Sequence, residues 1–203
     1  MRRQKLIKAA VVAGFVALWG GVAYADGGGG NNEEFSASLN GFKVTGGLNA
    51  ETGAILTGAT GTLALELDRK SQTATYTLTF SNLSSPVTQA HIHFGKAHVP
   101  GGIIVWLCQT TAKPSPVGSL TPSCPTTAGG TGGTVSGTIV AASVVSPGVS
   151  TTSTPSNQGV TAGDFDAVVE ALDSHTAYAN VHTTNFPEGE IRGQVRKNDK
   201  DHN

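Results

Sequence analysis

The chain has 203 residues, of which 13% are charged, against about 25% in an average soluble domain. Its formal net charge of −1 gives no surplus of Lys and Arg for holding a phosphate backbone, which argues against nucleic-acid binding. The hydrophobic content of 38% is enough for one modest core, so full disorder and a second large domain are both disfavoured.

The first 25 residues have the pattern of a secretory signal peptide. Four cations precede an apolar run over residues 9–20, and Ala23-Tyr24-Ala25 forms a small-residue cleavage site. The run is too short and too rich in glycine for a good membrane span, and we expect no span once the signal is removed. Removal leaves 9 Lys and Arg against 14 Asp and Glu, a net charge of −5. We therefore predict an exported protein, either periplasmic or extracellular.

The rest of the chain alternates between apolar and polar residues over most of its length. Residues 26–34 contain no strand pattern and predict a flexible leader, and residues 197–203 predict a disordered tail. Alternation with period two predicts strands that bury one face. The predicted strands cover residues 35–39, 62–67, 73–80, 87–94, 103–107, 133–140, 177–183 and 190–196. We therefore predict one all-β domain over residues 35–196, an antiparallel Greek-key β-sandwich or barrel with long loops.

One short segment predicts a helix. Thr161 and Asp164 resemble a capping box at its start. The apolar stripe that follows has the spacing i, i+3, i+4 and i+7 and consists of Phe165, Val168, Val169 and Leu172. We expect this helix to pack across an open end of the sheet.

The two cysteines predict a disulfide. Cys108 and Cys124 are separated by 15 residues rich in Pro, Ser and Thr. In an oxidising compartment such a pair closes a surface loop and stabilises the fold by about 3 kcal/mol. The alternative, a pair of thiolate metal ligands, lacks the short CxxC spacing of such sites.

The candidate functional residues are histidines in two predicted strands. His91 and His93 are two residues apart, so both imidazoles point to the same face, about 6.6 Å apart along the strand. His182, in the strand over residues 177–183, is the third candidate ligand, and His98 could serve as a fourth. Imidazoles without a free thiolate favour copper or zinc over calcium or magnesium. The alternative is a hydrogen-bonded polar cluster that holds no metal.

The remaining histidines and the second hairpin strand offer supporting roles. His175 is expected to complement the dipole at the helix end, and His202 lies in the tail. Residues 185–189 have turn chemistry and predict a terminal hairpin.

Three polar residues of this hairpin are candidates for orienting an imidazole. They are Asn180, which shares the face of His182, and Glu190 and Arg192, which share a face of the second strand. A structural ion pair is the alternative for the two charged residues.

Two motifs resemble a known family. AHIHFG (residues 90–95) and YANVHTTNFPEGEIRGQV (residues 178–195) are similar to the CHRD (chordin-type) domain of secreted bacterial proteins. The resemblance covers residues 35–196 and implies an extracytoplasmic, β-rich domain whose biochemical activity is generally unassigned. The HIH segment also resembles, locally, the copper ligands of copper/zinc superoxide dismutase, but the rest of that enzyme's ligand pattern is not recognisable.

Three functions are therefore considered. The first is a non-catalytic exported module that binds copper or zinc through its histidines and recognises a protein or surface ligand. The second is a structural or adhesive envelope protein without a metal. The third is an enzyme, a redox metalloenzyme or a hydrolase. The hydrolase is disfavoured because the sequence lacks GxSxG, HExxH and paired-carboxylate motifs, and the redox enzyme because the rest of the dismutase ligand pattern is not recognisable.

Overall fold

The part of the chain that the structure describes contains nine strands, one α-helix and four short 3-10 helices. The computed structural model describes residues 32–45, 53–147 and 158–198. The strands are β1 (Asn32–Asn40), β2 (Thr60–Asp68), β3 (Thr73–Ser81), β4 (Val87–Phe94), β5 (Gly102–Cys108), β6 (Gly133–Ile139), β7 (Ala177–Thr183), β8 (Ile191–Gln194) and β9 (Arg196–Lys197), and the helix is α1 (Phe165–Asp173). All eight predicted strand segments are confirmed, with the last divided into β8 and β9.

The strands form a nearly closed antiparallel barrel. Their order is β5-β4-β7-β8-β1-β2-β3-β6, and β9 pairs with β1. The amide of Val145, just after β6, donates to the carbonyl of Ile104 in β5, which brings the two ends of the sheet together. The strand β7 returns to lie beside β4 after the run β4-β5-β6, which is a Greek-key connection. The predicted all-β antiparallel class is confirmed, in its barrel form.

The strand β3 shows why this sequence makes a barrel wall. Its apolar residues, Ala74, Tyr76, Leu78 and Phe80, are at most 4% exposed and belong to the central core. The threonines between them face outward. Because β-branched threonines favour extended backbone and tolerate water, the strand can cover the core without an outer layer.

The helix α1 begins later than its predicted capping box. Asp164, rather than Thr161, is the N-cap residue, and its side chain accepts a hydrogen bond from the amide of Ala167. The buried face consists of Phe165, Val168, Ala171 and Leu172, and the helix packs against β7 and β9. Val169 is only partly buried because Ala171 occupies the inward position of that turn. His175 follows the helix in the left-handed region, with φ 58°.

The β-sheet begins and ends closer to the chain termini than the predicted flexible leader and tail allow. Residues 32–34 belong to β1, where they pair with residues 66–68 of β2. Lys197 belongs to β9, and its Nζ lies 2.6 Å from the carboxylate of Glu33. Arg69 forms a second ion pair with Glu33, so charge pairing extends the sheet beyond its apolar residues. The predicted signal peptide, residues 26–31 of the leader and His202 lie outside the described residues.

Cys108 and Cys124 are bonded to each other, as predicted. Cys108 is the last residue of β5, so the disulfide fixes the loop that follows to the barrel wall. Within the described part of the chain, no helix is long and apolar enough to cross a membrane.

Candidate metal centre

The histidine pair lies on β4, between β5 and β7. His91 faces Asn180 of β7 and Trp106 of β5 in the sheet register, and His93 faces Tyr178 of β7. Irregularities in the β4–β5 register follow Ala90 and precede His93, a feature of strands that present side chains at functional sites. Ile92, between the two histidines, is fully buried in the core. The predicted division of faces is therefore confirmed.

His182 joins the pair from β7. Its Nε2 lies 3.1 Å from Nδ1 of His91. The ring centroids of His91 and His93 are 5.4 Å apart, and those of His93 and His182 are 6.2 Å apart. One ring nitrogen from each residue can be chosen so that all three lie within 4.8 Å of one another. We call these three residues the histidine cluster.

The fourth candidate ligand does not join the cluster. His98 is exposed in the turn after β4, with φ 63°, and is not part of the three-residue group. The chain turns away from the sheet after Gly95, so sequence proximity to His93 does not bring His98 to the same place. The prediction of His98 as a ligand is wrong.

Backbone carbonyls fix the tautomers of two cluster residues. Nδ1 of His93 lies 2.9 Å from the carbonyl of Gly101, and Nδ1 of His182 lies 2.7 Å from the carbonyl of Pro187. A carbonyl only accepts, so we assign the proton of each neutral ring to Nδ1 and the lone pair to Nε2. Nε2 of His182 must then accept its hydrogen bond from Nδ1–H of His91. All three imidazoles thus carry their lone pair on Nε2. This lone pair is free in His91 and His93, and in His182 it accepts the hydrogen bond from His91.

Two of these lone pairs have no partner. Nε2 of His91 and Nε2 of His93 are buried and form no hydrogen bond with any described residue. A buried acceptor without a partner is costly, at about 1–3 kcal/mol. The histidine cluster therefore has two free nitrogen lone pairs that a Lewis acid such as a metal ion could accept.

Burial keeps the cluster neutral. Burial, followed by the nearby His182, lowers the pKa of His93 to about 3. Burial also lowers the pKa of His182 to about 4, against the opposing effect of its bond to Pro187. The pKa of His91 is lowered well below its ordinary value, again chiefly by burial. At neutral pH each imidazole is thus in the form that can ligate a metal.

Aromatic side chains enclose the histidine cluster. Trp106 meets the ring of His91 edge-on, at a centroid distance of 4.3 Å. Tyr178 stacks on His93 at 4.7 Å, with the rings 5° from parallel. The guanidinium of Arg192 lies 3.5 Å from the centroid of the same tyrosine. Sequence reasoning missed both aromatic residues, although Tyr178 is two and four residues from Asn180 and His182 and so shares their face of β7.

Glu190, one of the residues predicted to orient an imidazole, instead accepts hydrogen bonds from groups outside the histidine cluster. Glu190 is fully buried, and its carboxylate accepts hydrogen bonds from Thr57, Ser84 and Thr183. No described carboxylate bonds to the histidine cluster, whose Nδ1 partners are the two carbonyls and, for His91, His182. Sequence reasoning placed Glu190 on the second hairpin strand, but two of its partners, Thr57 and Ser84, lie 133 and 106 residues away in the chain.

Arg192 and Asn180 also differ from their predicted roles. Arg192 reaches the cluster only through Tyr178 and does not pair with His182. Asn180 donates to the carbonyl of Glu188 at 3.4 Å and packs against Gly189. Gly189 has φ 116°, and a Cβ there would overlap the Asn180 amide, so the predicted turn needs glycine at this position.

The fold and the site define a class of β-barrel protein with three buried histidines on two neighbouring strands of its wall. The family model of the CHRD domain matches residues 35–195, and the chain belongs to this family. This assignment supports a binding module whose biochemical role is unassigned. Comparison with curated proteins and with solved structures gives no significant match.

Proposed function

We propose that this CHRD domain is an exported binding module that holds one copper or zinc ion on His91, His93 and His182. The observation that carries the proposal is the convergence of three buried, neutral imidazoles, two of which have an unpartnered Nε2. A metal ion that accepted these lone pairs would satisfy both atoms at once. His182 would become the third ligand by giving up the hydrogen bond that its Nε2 accepts from His91 in the metal-free protein.

The surroundings of the rings support a metal over a purely structural cluster. Metal-ligating histidines commonly donate their other ring N–H to a backbone carbonyl, which fixes the tautomer and the ring orientation. His93 and His182 both have this bond. A cluster that served only to satisfy hydrogen bonds would not leave the opposite nitrogens of two rings without partners.

The donor set favours copper or zinc. The three donors are imidazole nitrogens, which suit Zn²⁺ and copper better than the hard cations Ca²⁺ and Mg²⁺. Neither cysteine is free in the described residues, so thiolate ligation is not offered. Three protein ligands leave a coordination position for water or a bound molecule, as in many non-structural zinc sites. Export is supported by the signal-peptide pattern and by the disulfide.

Titration calorimetry on the metal-free protein tests the proposal. We expect the protein to bind one equivalent of Zn²⁺ or Cu²⁺, and H93Q to weaken this binding at least about tenfold, the equivalent of about 1.4 kcal/mol. H98Q is the matched control, because it removes an exposed imidazole five residues away and should leave the affinity unchanged.

Two further results decide between the proposal and its alternatives. Circular dichroism and thermal unfolding must show that H93Q is folded, and a metal-dependent rise in the melting temperature should be present in the parent and absent in the variant. Equal binding by the parent, H93Q and H98Q would assign the metal to other groups. No binding by the folded parent would leave a module without a metal, as in the structural or adhesive alternative.

A further inference from the structure

A second candidate site lies on the outer face of the barrel, beside the turn that follows β4. It is a cavity of about 410 Å³ between β1, β8, β9 and that turn. Lys43, Arg192 and Arg196 line it, together with the hydroxyl-bearing Ser36 and Ser38, and none of its lining residues is acidic. We call this cavity the basic groove.

Arg192 is a buried cation with no counter-charge among the residues that the structure describes. It is 2% exposed. Its guanidinium donates to Thr45 Oγ1 and, at 3.0 Å each, to the carbonyls of Lys96 and Val99. It forms no ion pair with a described carboxylate. Burying a charge without an opposite charge is costly, and neutral carbonyls with the face of Tyr178 offset only part of that cost.

The other two cations of the basic groove are also unpaired. Lys43 donates to the carbonyl of Ser38 at 2.6 Å, and neither Lys43 nor Arg196 has a carboxylate within ion-pair distance among the described residues. Arg69 and Lys197, by contrast, both bind Glu33 a short distance along the same sheet. The basic groove thus brings three cations together, with no acidic residue in its lining.

From this arrangement we infer that the basic groove binds an oxyanion. The oxyanion would be a carboxylate, sulfate or phosphate group carried by a small molecule or by a single sugar unit. The mature chain is acidic overall by the sequence count, so the groove is a local exception and not part of a general positive surface. Arg192 supplies a preorganised guanidinium at the base, because three hydrogen bonds and the tyrosine ring hold it in place. Lys43 and Arg196 supply charge at the rim, and a cavity of this volume is at the small end of ligand sites.

Calorimetry at low ionic strength tests the inference with inorganic phosphate and with D-glucuronate as separate probes. The protein is freed of metal and then of chelator, so the result does not depend on the histidine cluster. We expect at least one probe to bind, and K43Q/R196Q to raise its Kd at least about tenfold, since a hydrogen bond to a charged group contributes that much. K70Q/K197Q is the matched control, because it removes two exposed cations outside the groove and should change the Kd less than about twofold.

Each outcome has a definite meaning. Binding of phosphate alone indicates a tetrahedral ligand, binding of glucuronate alone indicates a carboxylate, and binding of both indicates a general oxyanion site. The inference is overturned if neither probe binds, or if the two double variants lose affinity equally, because the effect would then come from net charge. Both variants change exposed side chains, and thermal unfolding verifies that each is folded.

Discussion

His91 and His182 are 91 residues apart in the chain, and their ring nitrogens lie 3.1 Å apart between adjacent strands. This contact depends on the placement of β7 beside β4, which the chain reaches only after passing through β5, β6 and α1. The histidine cluster is thus a product of barrel closure. A pH change or substitution that breaks contacts within the histidine cluster should therefore also lower the free energy of unfolding of the barrel.

Copper binding should be visible in the fluorescence of Trp106. Its ring is 4.3 Å from the ring of His91, and the only other tryptophan is Trp19. In W19F protein, one equivalent of Cu²⁺ should strongly quench the emission, because Cu²⁺ is a paramagnetic d⁹ ion with one unpaired electron. Zn²⁺ has a closed shell and should shift the emission without comparable quenching. Fluorescence titration measures both.

The same titration has an internal control. H98Q should leave the quenching by Cu²⁺ intact, whereas H93Q should abolish it at one equivalent. Copper binding by calorimetry without any change in Trp106 emission would place the ion away from the histidine cluster.

Acid should destabilise the metal-free protein through the histidine cluster. The pKa values of His93 and His182 in the folded state, about 3 and about 4, lie below the unfolded value of 6.5. As the pH falls through 6.5 the unfolded state takes up protons first, so the free energy of unfolding decreases down to the folded pKa values. We expect a loss of roughly 3 kcal/mol or more between pH 7 and pH 4, measured by urea unfolding.

Comparison with a variant isolates this effect. H93Q should have a shallower pH dependence over the same range, because one proton-binding group is absent from its unfolded state. A free energy of unfolding that stays constant from pH 7 to pH 4 in the parent would contradict the assigned neutrality of the cluster.

Glu190 should prove to be structural. Its two oxygens accept four hydrogen bonds from Thr57, Ser84 and Thr183, three of which come from hydroxyls. E190A should lower the free energy of unfolding by about 3 kcal/mol, because several buried donors lose their partner. E190Q should cost less, since its amide can donate to the Ser84 and Thr183 hydroxyls in place of accepting from them.

Metal binding separates this role from that of an imidazole-orienting residue. Folded E190Q should bind Zn²⁺ with the parent affinity, because the carboxylate contacts none of the three rings. A large loss of zinc affinity in folded E190Q would reinstate the role that the sequence alone suggested.

The disulfide should contribute a measurable part of the stability. Cys108 and Cys124 close a loop with a sequence separation of 16. C108A/C124A should lower the free energy of unfolding by about 3 kcal/mol, mostly through the greater entropy of the unfolded chain. Urea unfolding of the parent with a reductant should show a similar loss, and the double variant should not respond to the reductant.

Several features were predictable because they depend on local spacing. The alternation of Ala74, Tyr76, Leu78 and Phe80 with threonine predicted β3 and its buried face, which is confirmed. The ends were harder to predict, because residues 32–34 are polar and join β1 through their pairing with β2 and the ion pairs of Glu33. A polar strand end has no signal in hydrophobic periodicity.

The sequence by itself determined the strand faces, the shared orientation of His91 and His93, and the cysteine pair, since these follow from two-residue periodicity and from the number of cysteines. Only the tertiary structure decided which groups meet across the barrel. The carbonyl partners of His93 and His182 depend on how the turns after β4 and β7 fold back on their strands. The hydroxyls of Thr57 and Ser84 reach Glu190 from distant parts of the chain, and among the described residues no carboxylate pairs with Arg192. Spacing along one strand determines which face of the sheet each side chain is on. The order in which the strands pair determines which residues lie next to it.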